Sequence, residues 1–212
     1  MSERINLKNA ERKVFRAAFD DGLWDIAIAG WALMFSVALL LSPMLGDFWS
    51  TAVFVLFLGV LFLVIWLTRK YVVKPRTGVV KFGKQRTRRL KKFNLVMVII
   101  NVLALILGLI FAFYFHTLSG QMIAIIFGLI LLICFSLAGY FLDYPRLYVY
   151  GFLLGIAPPF GEWLYSSHGA SHHGFPITFG FISGVMFLAG LITFVRFLRN
   201  NSVATNTALE RS

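Results

Sequence analysis

Apolar residues in this chain come in long runs, and the charged residues are bunched between them. Six runs, at about 23–43, 51–68, 94–115, 121–141, 147–165 and 176–197, hold only isolated charges. Each is near the ~20 residues a helix needs to cross a hydrocarbon core of ~30 Å. The pattern therefore predicts an all-α fold: a polytopic membrane helical bundle of six transmembrane helices. Three connections, "SPMLGDFWS", "HTLSG" and "YSSHGASHHGFP", fall on one side. The other two, the segment 69–92 and "DYPRL", fall on the opposite side. Around the six-helix domain (23–197), residues 1–22 read as an amphipathic N-terminal helix. Leu7, Ala10, Val14 and Ala18 recur there at helical spacing among Lys8, Arg12, Lys13 and Arg16. The polar tail 198–212 reads as disordered.

Charge gives the bundle an orientation. All twenty Lys and Arg residues lie before the first run, between the second and third, at Arg146, or from Arg196 onward. That puts every one on the same side, with eleven of them in the basic arm 69–92. Basic residues are retained on the cytoplasmic side during insertion, so both termini are expected in the cytoplasm and the protein in the cell membrane. The arm then lies beside an anionic leaflet, where each cation near the surface adds about 1 kcal/mol of lipid attraction. A nucleic-acid partner is not expected, because a single-strand grip needs aromatic stacking groups and the stretch 74–92 offers only Phe82.

Composition agrees with this class and removes others. Of the 212 residues, 59% are hydrophobic and 14% charged, against about half and about a quarter in soluble domains. The single cysteine, Cys134, cannot form an intrachain disulfide. The polar start lacks the pattern of a cleavable signal, and Ser2 stands where myristoylation requires glycine. No phosphate loop, nucleophile triad order or H-E-x-x-H segment is present.

Two short segments mark the cytoplasmic rim: "DDGLWDIAIAG" (20–30) and "PRTGVVKFG" (75–83). Asp21 and Asp25 lie four apart on one helix face. Through Asp21, Gly22, Leu23, Asp25, Ile26 and the displaced Gly30, the chain resembles a family of uncharacterised prokaryotic multi-pass membrane proteins. Members of that family carry DGLxDIxxG-like and PRxGxVxF-like rim motifs. The second motif is matched by Pro75, Arg76, Gly78, Val80 and Phe82. The resemblance covers the first ninety or so residues and implies no activity. Ion pairs are expected at this rim, with Arg76 and Arg146 balanced by Asp21, Asp25 or Asp143, and Arg76 placed on Asp21 or Asp25. "PRLYVYGF" (145–152) echoes "PRTGVVKF" (75–82) at four positions, consistent either with a duplicated hairpin or with independent helix-end signals.

Inside the runs, small residues suggest close helix contacts. Gly151 and Gly155 form one small-xxx-small pair, and Gly180 and Gly184 another. Antiparallel helices would set the two pairs at different depths. Gly190 is then the expected partner of the first, leaving Gly180 and Gly184 for another helix or a second subunit. Pro158 and Pro159 predict a kink. Midplane polarity is limited to Asn101, Ser36, Ser136 and Ser183, with no Asp, Glu, Lys, Arg or His near the centre of any run, which argues against a proton-coupled pump.

All four histidines fall on the outer side: His116, His168, His172 and His173, with Glu162 nearby. Imidazole and carboxylate together suit a divalent metal, and His168 and His172 would share a face if their loop were helical. No other cofactor is expected. The leading reading is a non-enzymatic membrane protein acting through partners at its basic face, namely anionic lipids, another protein or a second copy. A small oligomeric transporter or channel is the second reading, and a metal-binding membrane enzyme or sensor the third.

Overall fold

The computed structural model describes residues 19–77, 84–114 and 119–201, and among these it is helical with no strand. The amphipathic segment expected before residue 19, His116, and the tail beyond residue 201 lie outside the described residues. Five helices are long and apolar enough to cross a membrane.

The first surprise is the connection expected at "SPMLGDFWS". Helix runs through it, from Leu23 to Thr68, broken only at Gly46 (φ 77, ψ 163). A straight helix of 46 residues would be about 69 Å long, twice the hydrocarbon thickness. Gly46 folds it into a hairpin of α1 (Leu23–Gly46) and α2 (Phe48–Arg76). Its backbone angles are open only to glycine. The hairpin is antiparallel, with Gly30 against Leu61 and Phe35 against Phe54.

The basic arm is also largely helical rather than a loop. Helix α2 continues through a π-turn, Arg69–Val73, into Lys74–Thr77. In a regular α-helix the ring of Pro75 would crowd the carbonyl of Tyr71, and the widened turn relieves this. Pro75 therefore sits inside the extension and does not end it. Helix α3 (Lys84–Tyr114) resumes within the same arm. By contrast, Pro145 is the N-cap of a helix, so the two Pro-Arg pairs occupy different settings.

Helices α4 (Gly120–Leu142), α5 (Arg146–His168) and α6 (Phe175–Asn200) complete the bundle. Helix α5 is not among the five apolar spans; Pro158, Pro159 and Glu162 lower its hydropathy. Side chains of α1, α4, α5 and α6 build the core around Leu154, Phe179 and Met186, all wholly buried. Helices α2 and α3 flank it and stay exposed along their spans, with Leu56, Val60, Leu95 and Leu105 uncovered. In water such faces would be an aggregation hazard; in a bilayer, hydrocarbon would solvate them.

Glycines set the two closest crossings, and not in the pairs expected. Gly151 and Gly155 face α4: Gly155 meets Gly128, and Gly151 meets Phe135. Residue 159, four after Gly155, is proline and has no N–H to donate. The Gly155 carbonyl is thus free to lie against the Gly128 backbone, a contact that any side chain at 128 would block. Gly190 faces α1 instead, at Asp25 and Ile26, and Gly180 sits against Ser36 of the same helix. Gly184 has nothing within 4 Å of where a Cβ would stand. Helix order decides this: α1 and α6 lie side by side, as do α4 and α5.

Candidate functional site

Three carboxylates at the basic end of the bundle gather the helix ends, and each takes a different arginine. Asp21 precedes α1 and accepts the backbone N–H of Leu23 at 3.0 Å, tying down the start of that helix. Its Oδ2 also receives Nε and Nη2 of Arg69 at 3.3 and 3.2 Å. The side-on guanidinium edge thereby fastens α2 to α1. The Arg69 guanidinium lies 5.1 Å above the Trp24 ring, adding a cation–π contact. Burial raises the Asp21 pKa; the charge of Arg69 and the Leu23 hydrogen bond pull the other way without cancelling it.

Asp25, one turn further on, is wholly buried. It accepts Nη1 of Arg146 at 2.6 Å and the hydroxyl of Tyr144. Arg146 also donates to the Thr193 hydroxyl at 3.2 Å. One carboxylate therefore links α1 to α5, α6 and the α4–α5 turn. The pKa of Tyr144 is pushed well up, first by burial and then by its bond to Asp25, so the phenol stays a donor.

Asp143 closes α4 in a left-handed conformation (φ 52), where its side chain meets Nη1 of Arg89 at 2.9 Å. Arg89 also donates to the Tyr140 carbonyl and lies 5.1 Å from the Tyr140 ring. That pair attaches α3. Between them the three acids engage all six helices.

Arg76 is not part of this set. Neither Asp21 nor Asp25 pairs with it, and its Nε and Nη1 are buried without a hydrogen-bond partner among the described residues. The reason is axial distance. Helix α2 does not stop at the rim, so Arg76 stands seven residues, about 10 Å, beyond Arg69. The first cation after the span is the one level with Asp21. Arg69, Arg89, Tyr144 and Thr193 were not foreseen from sequence. Arg69 was the most legible of these, being the first basic residue to leave the second apolar run.

At the opposite end, Glu162 and His173 meet at 2.7 Å (Oε2 to Nδ1), with Glu162 nearly buried. Glu162 also lies against Gly120 at the N-terminus of α4, where a negative charge is favoured. The expected helical pairing of His168 with His172 does not form. Gly169, in the left-handed conformation (φ 64), ends α5 directly after His168. The His168 ring lies on Trp163 instead. His172 and His173 follow in a separate turn, both with positive φ. Among the described residues no three metal-ligating side chains converge.

Three of the four midplane polar groups bond within the bundle or within their own helix. Ser36 donates to the Pro176 carbonyl at 2.8 Å, Ser183 to Gly180 at 2.9 Å and Asn101 to Met97 at 2.8 Å. Asn101 is exposed on α3 and does not line the cavity that lies beside the basic end. Comparison with protein-family models, curated proteins and solved structures finds no match.

Proposed function

We propose that this chain is a six-span, non-enzymatic protein of the cytoplasmic membrane. Both termini lie in the cytoplasm, and the basic end rests against the anionic headgroups of that leaflet. The observation that carries this reading is the internal use of the acids. Asp21, Asp25 and Asp143 each bind an arginine within the bundle. They are therefore not available to offset the rest of a chain with twenty cations and nine acids. The surplus is left for an external anion, and a leaflet supplies one along the whole end. The DGLxDIxxG-like motif is then structural: Asp21 and Asp25 lock helix ends and Gly22 lets α6 approach.

Helix α5 supports the count of six. It has 23 residues and packs one face on α4 and α6, with Leu154 and Ala157 fully buried, while Val149, Phe152, Ile156 and Phe160 present an exposed apolar face that suits lipid.

Orientation is tested by thiol labelling of whole cells after Cys134→Ser. A cysteine at Ser171 should react with an impermeant maleimide and one at Thr87 should not; the reverse pattern sinks the orientation. Leaflet contact is tested by thermal unfolding in a mild, uncharged detergent. Added phosphatidylglycerol should raise the midpoint more than phosphatidylcholine does, and 0.5 M salt should erase most of the difference. Equal effects of the two lipids would remove the electrostatic reading.

A further inference from the structure

A cavity of about 200 Å³ lies beside the basic end, between α1, α3, α4 and the start of α5. We propose that it holds one acyl chain of an anionic phospholipid whose headgroup lies among the arginines of that end; the choice of an anionic headgroup rests on the charge reading above. Trp24, Ile28, Met97, Cys134, Ala138 and Leu147 are among its walls, and no polar atom reaches its surface. A buried water needs two to four polar partners, so water has no hold here. Hydrocarbon does, and it is close by. The wall formed by Met97 belongs to α3, whose Leu95, Val98 and Ile99 are exposed to the surroundings of the bundle. A helix from a second copy, 10–12 Å across with its side chains, is too wide for the space. A single chain is not.

The chemistry changes sharply at one end of the cavity. Trp24 is a wall of the apolar space and at the same time the surface on which the Arg69 guanidinium lies. Arg89 stands on α3 two turns beyond Met97, held against Tyr140. These two guanidiniums are matched by Asp21 and Asp143, whereas among the described residues Arg76 has no acceptor for its Nε and Nη1. Its Nε and Nη1, with the Trp24 indole N–H, are the buried side-chain donors without an acceptor among the described residues. The indole belongs to the cavity wall, and Arg76 stands on α2 at the same basic end of the bundle, about 10 Å beyond Arg69. An apolar slot ending at a cationic rim with unmet donors fits an amphiphile with acceptor oxygens and negative charge. A phospholipid with an anionic phosphodiester has that form, and its phosphate suits a guanidinium.

The full-length protein, purified in mild detergent with equal phosphatidylglycerol and phosphatidylcholine, is examined by native mass spectrometry. One phosphatidylglycerol should remain per chain. Ala138→Phe fills the cavity without altering charge and should weaken retention about tenfold or more. Cys134 supplies a second readout in the unaltered chain, because the chain's one thiol lies on the cavity wall. Its alkylation by N-ethylmaleimide should slow when phosphatidylglycerol is added. That readout decides alone if Ala138→Phe does not fold. Retention unchanged in Ala138→Phe, or alkylation indifferent to lipid, would overturn the chain site. A lipid-free dimer would overturn it in favour of a second copy. Retention of both lipids equally, lost in Ala138→Phe, would keep the chain site and defeat the anionic headgroup and the charge reading beneath it.

Discussion

Asp25→Ala is expected to lower the thermal midpoint of the purified protein by roughly 6–12 °C, using the ~2–4 °C per kcal/mol typical of chains this size. Asp25 is fully buried and accepts hydrogen bonds from Arg146 and Tyr144. Removing it leaves a guanidinium and a phenol facing a void, and the loss of one member of a buried pair costs about 3–5 kcal/mol. The lower end applies, because the Arg146 side chain keeps 40% of its exposure and water screens it. Tyr144→Phe removes one donor and leaves the ion pair, so its loss should be about half as large. A double-mutant cycle of Asp25→Ala with Arg146→Ala should show strong coupling. If the two losses simply add, or if Asp25→Ala moves the midpoint by less than about 2 °C, Asp25 is not the fastening point described here.

Gly22→Ala adds one methyl group and should be nearly as damaging. Gly22 has φ 75, a conformation that costs an alanine about 1–2 kcal/mol. A Cβ there would stand 2.5 Å from the Gly190 carbonyl oxygen and 2.7 Å from the Phe194 nitrogen, both backbone atoms of α6. Overpacking of this kind adds about 1–3 kcal/mol, because helix backbones cannot turn aside as a side chain can. It would also pull Asp25 away from α6, weakening the Arg146–Thr193 link. Gly184→Ala is the matched control on the same helix pair. Its Cβ would meet nothing within 4 Å, so stability should hold or rise slightly as helix propensity improves. Similar midpoints for the two variants would show that the α1–α6 crossing tolerates separation.

What was legible in advance follows from the range of each interaction. Long apolar runs need only their own residues and the bilayer, so the helices at 23–43, 121–141 and 176–197 could be placed within a few residues. Leu147–Tyr165 was placed equally well although its hydropathy is lower. The segment "SPMLGDFWS" was read as a short connection because it separates two apolar runs. The structure keeps helix through Pro43 and concentrates the reversal in one glycine. A gap between apolar runs does not say how much chain a reversal needs; the backbone freedom of one glycine does. The arm between 69 and 92 was read only as a basic connection, with no helix assigned to it. A run of cations has no apolar pattern to show a helix, yet Arg69 and Arg89 are fixed in one by carboxylates from distant parts of the chain.

The sequence by itself determined the class of the protein, its apolar spans and the one-sided distribution of charge, since each depends on composition summed along the chain. It also singled out Asp21, Asp25, Asp143 and Arg146, because acids near hydrocarbon are costly unless matched. The tertiary structure alone decided the matches. Arg69 rather than Arg76 reaches Asp21, because α2 runs past the rim as a helix. Gly190 faces α1 and Gly155 faces α4, because helix adjacency is a property of the bundle and not of any one span. His168 and His172 are parted because Gly169 ends α5 between them. Pairing depends on the direction of a side chain and on the depth at which its helix lies, and both are set only once the helices have packed.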